Sequence, residues 1–147
     1  MEQANDPEST GHIWNMMLDR HQHYQTRIAV INCRTDRRHR SVQLAEAVNS
    51  WKPADHFILI GTGTDVFHRV ALEHGLNELS MVSMEGASTD AIANEITNRA
   101  GDSAIVMGMG NTAGPGLRLF DHFEQFDQRG RVPADRSTKQ TYLQEAA

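Results

Sequence analysis

Four arginines lie within seven residues, directly after an apolar, β-branched run that is typical of a buried strand (Ile28–Asn32). A guanidinium group binds phosphate or carboxylate through two parallel hydrogen bonds, and a nearby aspartate can hold it in place. In a parallel sheet, ligands lie beyond the carboxyl ends of the strands. The pattern therefore predicts an anion site, although a solvated loop with weak local ion pairs has the same composition. The charged residues of this loop are Arg34, Asp36, Arg37, Arg38 and Arg40.

A second link between strand and helix, Gly61–Asp65, consists mainly of small residues. Thr62 and Thr64 each carry a hydroxyl that can cap a helix or bind an anion. Because hydroxyl side chains are common at the first position of helices, we interpret capping as their main role. An anion-binding role for these two threonines is the alternative.

A third link follows the last apolar run and contains three glycines and an asparagine (Gly108–Gly114). Glycine lets backbone N–H groups approach a ligand closely, and a following helix would present its positive end. The pattern Gly108-x-Gly110 lacks the third glycine of a dinucleotide fingerprint. A tight turn that requires glycine explains the pattern equally well.

The composition excludes several classes of function. The chain has 147 residues and a formal net charge of −5, which disfavours nucleic acid as a partner. Cys33 is the one cysteine and ends a buried run, so we interpret it as a core residue of a cytoplasmic protein rather than a nucleophile. The eight histidines form no metal-ligand pattern, and no Gly-x-x-x-x-Gly-Lys-Ser/Thr phosphate loop occurs. No run approaches the roughly 20 apolar residues of a membrane span.

The elements that must position these loops alternate between amphipathic helices and buried strands. Strands are expected at residues 28–32, 57–60, 79–83 and 104–107. Expected caps are Ser9 or Thr10 for the first helix, Ser41 for the second and Ser88 or Thr89 for the fourth, and Gly75 should stop the third. A last helix is expected around residues 119–126. This order predicts an α/β fold with a doubly wound, mostly parallel, Rossmann-like sheet and helices on both faces. We expect one domain at residues 1–126 and a polar C-terminal tail at 127–147.

Three segments of the chain resemble Mur-type amide ligases, and in particular the ligase subunit of poly-γ-glutamate synthase, the capsule-polymer branch of that family. Ala4-Asn5-Asp6-Pro7, leading into a helix, is similar to the opening of their C-terminal domain. Asn32-Cys33-Arg34-Thr35-Asp36-Arg37 resembles an Asn-Cys-Arg-x-Asp-Arg segment, and Gly108-Met109-Gly110-Asn111 resembles a Gly-x-Gly-Asn loop. The resemblance extends from about Ala4 to Phe126. Position 5 is Asn where many Mur ligases have His.

The resemblance implies an ATP-dependent ligase that activates a carboxylate as an acyl phosphate and joins glutamate through γ-linkages. ATP and Mg²⁺ would be held mainly by a central domain that precedes this one, so the isolated domain is expected to be inactive and to contain no catalytic or metal-binding residue. The implied partners are glutamate, poly-γ-glutamate, the N-terminal and central ligase domains, and membrane subunits of the synthase complex. These subunits would bring a cytoplasmic protein to the inner face of the membrane.

The resemblance also implies roles for individual residues. Contacts to ATP and to the closing interface would come from Asn5, Asp6, Arg34, Asp36, Arg37 and Arg40. The amino-acid pocket would be lined by Thr62, Thr64, Gly108, Gly110 and Asn111. The residues alone leave two other classes open, a free-standing doubly wound module that binds a small anion or a nucleotide, and a purely structural interaction domain.

Overall fold

One parallel sheet runs through residues 6–110, which are the residues that the computed structural model describes. Its strands are β1 (Thr26–Cys33), β2 (His56–Gly61), β3 (Met81–Ser83) and β4 (Ala104–Gly110), in the order β3-β2-β1-β4. The helices are α1 (Pro7–Arg20), α2 (Arg38–Ala47), α3 (Thr64–Glu73) and α4 (Thr89–Ala100). All strand pairs are parallel, which confirms the predicted doubly wound α/β fold.

The order of the strands places a reversal beside β1. From β1 the chain proceeds through β2 to β3 on one side, and α4 then returns it to β4 on the other side of β1. In open α/β sheets, the crevice at such a reversal is where ligands bind, outside the carboxyl ends of the strands. The segment that follows β1, residues 34–40, is called the arginine loop below. Gly110 ends the neighbouring strand β4 at the same edge.

Alternate residues of β1 contribute to two hydrophobic cores. Ala29, Ile31 and Cys33 pack in the larger core, which also contains buried residues of α1, α2 and α3. Ile28 and Val30 pack on the opposite face with residues of α4. Because both faces are covered, the strand is apolar without interruption from Ile28 to Ile31, as expected of a central parallel strand.

Two predicted helix starts were wrong. Asp6, not Ser9 or Thr10, caps α1, and its carboxylate accepts a 2.9 Å hydrogen bond from the Ser9 N–H. Proline is favoured at the first helical position, so Asp6-Pro7 marks the start of the helix. In α2, a 3₁₀ turn at Thr35–Arg37 starts the helix early, and Ser41 is buried within it instead of capping it.

Other boundaries agree with the sequence or shift by a few residues. Ser88 caps α4, and Gly75 (φ +99°) ends α3, with N–H groups of Gly75 and Leu76 returning to the last turn. A 3₁₀ turn at Glu78–Ser80 shortens β3. Pairing with β1 extends β4 through Gly110, beyond its predicted end at Met107. The expected last helix and the polar tail lie outside the described residues.

No helix within residues 6–110 is both long enough and apolar enough to cross a membrane.

Candidate functional site

The arginine loop begins with an internal ion pair. The Arg34 guanidinium donates two hydrogen bonds to the Asp36 carboxylate, with Nε–Oδ1 at 2.9 Å and NH2–Oδ2 at 2.6 Å. Both side chains are exposed, at 39% and 63%, so the pair contributes little to stability, about 0–1 kcal/mol. The pair fixes the direction of the Arg34 side chain. It also engages Asp36, which is the one acidic side chain of the loop. The structure thus brings together two of the predicted site residues.

The other three arginines are defined here as the arginine cluster (Arg37, Arg38 and Arg40). Arg37 and Arg38 are exposed and Arg40 is half-buried. Within residues 6–110 none of the three has an ion-pair partner. The first turn of α2 contains no acidic residue, and no side chain caps it. Positive charge at a helix N-terminus is unfavourable, so this cluster is suited to an external anion.

The loop after β2 is fastened to the arginine loop. The Thr35 N–H donates to Thr62 Oγ1 at 3.0 Å, and the Thr62 N–H donates to the Cys33 carbonyl oxygen at 3.0 Å. Gly61 has φ +92°, and a Cβ at this position would overlap the Cys33 carbonyl group and lie 2.7 Å from Asn32 Oδ1. The Thr62 hydroxyl therefore acts as a link between two loops of the carboxyl edge.

The start of α3 already has an anion, and that anion is Glu85. The Thr64 N–H and hydroxyl donate to Glu85 Oε1 at 3.0 and 2.8 Å, and the hydroxyl shares a 2.8 Å hydrogen bond with Ser83. These bonds, first the one from the backbone of Thr64, hold the pKa of Glu85 below its ordinary value. Thr64 is buried, at 3% exposure. Gly63 is the cap residue of α3 and no side chain caps this helix, so the capping role predicted for Thr62 and Thr64 was wrong. Thr64 thus faces a carboxylate of the protein itself.

Glu85 is a residue that the sequence interpretation missed. It lies in the loop after β3, two residues beyond the end of that strand. The loops that follow parallel strands meet at one edge of the sheet, so the Ser83-x-Glu85 pattern is the signal that could have identified it.

Two glycines of the third link belong to β4 rather than to a loop. Gly108 pairs with Val30, and Gly110 pairs with Asn32. Gly110 has φ +89°, and a Cβ there would lie 2.5 Å from the Asn32 carbonyl oxygen. This glycine therefore permits close packing against β1, next to the buried Asn32. Asn111, the next predicted site residue, lies outside the described residues.

The remaining predicted residues have contacts of other kinds. Asp6 caps α1, and the hydrogen bond that its carboxylate accepts from the Ser9 N–H holds the pKa of Asp6 below its ordinary value. Asn5 lies outside the described residues. Cys33 is 1% exposed, and burial raises the pKa of its thiol to about 11, which confirms the core interpretation. No three His, Cys, Asp or Glu side chains group as metal ligands in the part of the chain that the structure describes.

The parallel sheet, the reversal beside β1 and the cationic loop at its carboxyl end define a doubly wound α/β domain, a class of fold in which ligands bind at this edge. Comparison with known proteins gives the family. The family described as the poly-gamma-glutamate synthase CapB C-terminal domain matches residues 2–126, and the chain belongs to it.

Two curated relatives agree with this assignment. The chain is 28% identical over 123 residues to PGA synthase CapB of Bacillus subtilis (strain 168), covering 84% of this chain and 31% of the relative. It is 31% identical over 118 residues to capsule biosynthesis protein CapB of Bacillus anthracis, covering 80% of this chain and 25% of the relative. The chain thus spans less than a third of the length of these relatives. No solved structure matches it significantly.

Proposed function

We propose that the chain is the C-terminal, substrate-closing domain of a Mur-type, ATP-dependent ligase that joins glutamate through γ-linkages. Family membership supports a role in poly-γ-glutamate synthesis. The observation that carries the more specific proposal is the arginine cluster, three guanidiniums beside the reversal of the sheet with no ion-pair partner among residues 6–110.

The residues of the cluster fit the phosphate groups of a nucleotide. Arg37 and Arg40 would hold ATP on the side of this domain, because a guanidinium binds phosphate through paired hydrogen bonds and keeps its charge at all physiological pH values. ATP, when bound, supplies the phosphoryl group that activates a carboxylate. The arginines neutralise negative charge at that group and orient it, and both effects lower the barrier to transfer. The pair formed by Arg34 and Asp36 keeps the loop in shape for these contacts.

The loops around the cluster provide rigidity. Thr62 holds the loop after β2 against the arginine loop, and Glu85 accepts a hydrogen bond from the Thr64 N–H at the start of α3. A site that closes against another domain benefits from such a preorganised edge, because little order has to be gained on closure. Binding of the incoming glutamate near Gly108 and Gly110, and a role for Mg²⁺, remain predictions of the resemblance.

The proposal is tested by replacing Arg37 with Gln. The chain is combined with the ligase part that precedes this domain in the same organism, and glutamate-dependent ADP release is measured. We expect Arg37→Gln to reduce kcat/KM for ATP at least about tenfold, because a preorganised charge opposite a reacting phosphoryl group is lost.

Arg20→Gln is the matched control. It removes the same charge from the last turn of α1, which leads to the opposite edge of the sheet, and it should leave the rate within about twofold. Equal rates for the wild-type protein and Arg37→Gln would refute the assignment of this arginine to ATP.

A further inference from the structure

Thr62 joins the loop after β2 to the arginine loop through both its backbone and its side chain. Its N–H donates to the Cys33 carbonyl oxygen, and its Oγ1 accepts from the Thr35 N–H, each at 3.0 Å. The paired part of β1 and β2 ends with Cys33 opposite Gly61, so Thr62 is the first residue beyond it. These two bonds therefore set the position at which the arginine loop leaves the sheet.

The acceptor that Thr62 provides lies at the start of the turn that contains Arg37. A 3₁₀ turn spans Thr35–Arg37, and the Arg37 N–H donates to the Arg34 carbonyl oxygen at 3.0 Å. The first N–H groups of a helical segment have no partner within it, and the residue before this turn provides no side-chain cap. Thr62 accepts the first of these N–H groups from a neighbouring loop. Because the turn is only three residues long, a shift at its start also displaces Arg37 at its end.

We propose that Thr62 is a positioning residue for Arg37, which it holds in place through Thr35. This inference rests on the proposed function, in which Arg37 contacts the phosphate groups of ATP. It assigns Thr62 to the nucleotide side of the site, whereas the resemblance to Mur-type ligases implies a place for this residue in the amino-acid pocket. The two roles differ in the substrate whose use Thr62 affects.

The bond between Thr35 and Thr62 matters more for geometry than for stability. Both residues are exposed, so water can replace the acceptor when the hydroxyl is removed. A displacement of about 1 Å can nevertheless cost up to about 100-fold in rate when the displaced group orients a substrate. Loss of the Thr62 hydroxyl should therefore lower activity in a protein that remains folded.

Kinetics of the combined ligase described above test the proposal. Thr62→Val keeps the shape of the side chain and removes the acceptor. We expect it to lower kcat/KM for ATP about fivefold and to change the KM for glutamate by less than about twofold, because only the arginine loop is displaced. Thr62→Ser keeps the hydroxyl and should recover most of the wild-type kcat/KM. Circular dichroism checks that each variant is folded.

Thr97→Val is the matched control. Thr97 is also an exposed threonine, and its hydroxyl donates to the Ala93 carbonyl oxygen at 3.0 Å. It lies near the end of α4, which leads to the opposite edge of the sheet. This variant should leave both kinetic parameters within about twofold of the wild-type values, because it does not displace the arginine loop.

A double-mutant cycle shows whether Thr62 acts through Arg37. Adding Thr62→Val to Arg37→Gln should lower kcat/KM for ATP by less than about twofold further, because the group that Thr62 positions is already absent. Independent effects would multiply instead. A further loss as large as that of Thr62→Val alone would therefore overturn the proposal.

Amide hydrogen exchange of the full chain gives a measurement that does not depend on enzyme activity. The Thr35 amide should exchange about fivefold more slowly in the wild-type protein and in Thr62→Ser than in Thr62→Val, the size of one exposed hydrogen bond. Equal exchange rates in all three proteins would show that the bond does not hold the loop, and the proposal would be wrong.

Two kinetic results would also overturn the proposal while the proposed function stands. One is an unchanged kcat/KM for ATP in Thr62→Val when Arg37→Gln lowers it. The other is a raised KM for glutamate alone, which would place Thr62 in the amino-acid pocket. If Arg37→Gln itself has no effect, the proposed nucleotide contact is wrong, and the role of Thr62 that depends on it is wrong as well.

Discussion

Gly61 lies where the backbones of β1 and β2 separate at the carboxyl edge. Its φ of +92° is one that L residues adopt only with strain, and the Cys33 carbonyl group occupies the space of a Cβ. The glycine therefore determines how closely the loop after β2 approaches the arginine loop. A side chain here would disturb the bond from Thr35 to Thr62 that holds the two loops together.

Gly61→Ala should lower the free energy of unfolding by about 3 kcal/mol, because the strain of a positive φ adds to a steric overlap with backbone. Gly86→Ala is the matched control. Gly86 also has a positive φ (+79°), but nothing lies within 4 Å of its Cβ position, so we expect a loss of about 1 kcal/mol. Urea denaturation measures both. Equal losses would show that the contact with Cys33 is unimportant.

Single residues also show where sequence reasoning reaches its limit. The arginines and Asp36 could be identified from their types and spacing, and the pairing of Arg34 with Asp36 is local. Glu85 could not be paired with Thr64 in this way, because 21 residues separate them and only the folded sheet brings them together. The same holds for Gly110, whose neighbour is the Asn32 carbonyl group on another strand.

At the scale of elements, strand identity was more predictable than element ends. The apolar runs of β1 and β2 are buried on both faces, so composition alone identifies them. The end of a helix depends on which of several neighbouring polar residues provides the cap. At α1 this residue is Asp6 rather than a residue with a hydroxyl group. Pairing with β1 overrides the low strand propensity of glycine at the end of β4.

A charged cluster joins α4 to β2 at the edge opposite the candidate site. The Arg99 guanidinium forms an ion pair with Glu95 one turn earlier and donates a 3.1 Å hydrogen bond to His56 Nδ1. Because Nδ1 accepts this bond, the ring is neutral. Burial, and then the Arg99 charge, lower the pKa of His56, while Asp55 and Glu95 oppose the shift.

The stability of the domain should therefore depend on the protonation of His56. The folded protein keeps this ring neutral at pH values where the unfolded chain, with an ordinary pKa near 6.5, takes up a proton. The contribution of His56 to the free energy of unfolding thus falls as the pH drops through 6.5, and it stops falling below the folded-state pKa. Urea denaturation between pH 5 and 7.5 measures this trend.

His56→Asn is the comparison for this prediction, since it offers an acceptor to Arg99 and cannot titrate. The variant should lose less stability than the wild-type protein between pH 7 and pH 5. Parallel curves for the two proteins would contradict the assigned role of His56.

At the scale of the whole molecule, the proposed function treats the carboxyl edge of the sheet as one wall of a site that another domain completes. The strand order places a cationic loop beside the reversal of the sheet. Two other groups at this edge that can bind anions are already satisfied internally, Arg34 by Asp36 and the start of α3 by Glu85. The fold class could be predicted from the alternation of helices and strands. The hydrogen bonds by which Glu85 occupies the start of α3 could not be predicted, because they depend on contacts between loops that are distant in the sequence.

The two main functional alternatives predict different binding by the chain alone. A free-standing anion-binding module should bind ATP or glutamate tightly, with a Kd in the low micromolar range. A closing domain should bind either ligand weakly, with a Kd of about 1 mM or higher, because its arginines make exposed contacts that are worth little without a second wall. Isothermal titration calorimetry with ATP and with glutamate separates the two, and an ADP-release assay on the same sample should show no hydrolysis.

Glu85→Gln adds an internal check. It removes the charge at the start of α3 but keeps an acceptor for Thr64, so a large gain in glutamate affinity would indicate that Glu85 occupies the position of a substrate carboxylate.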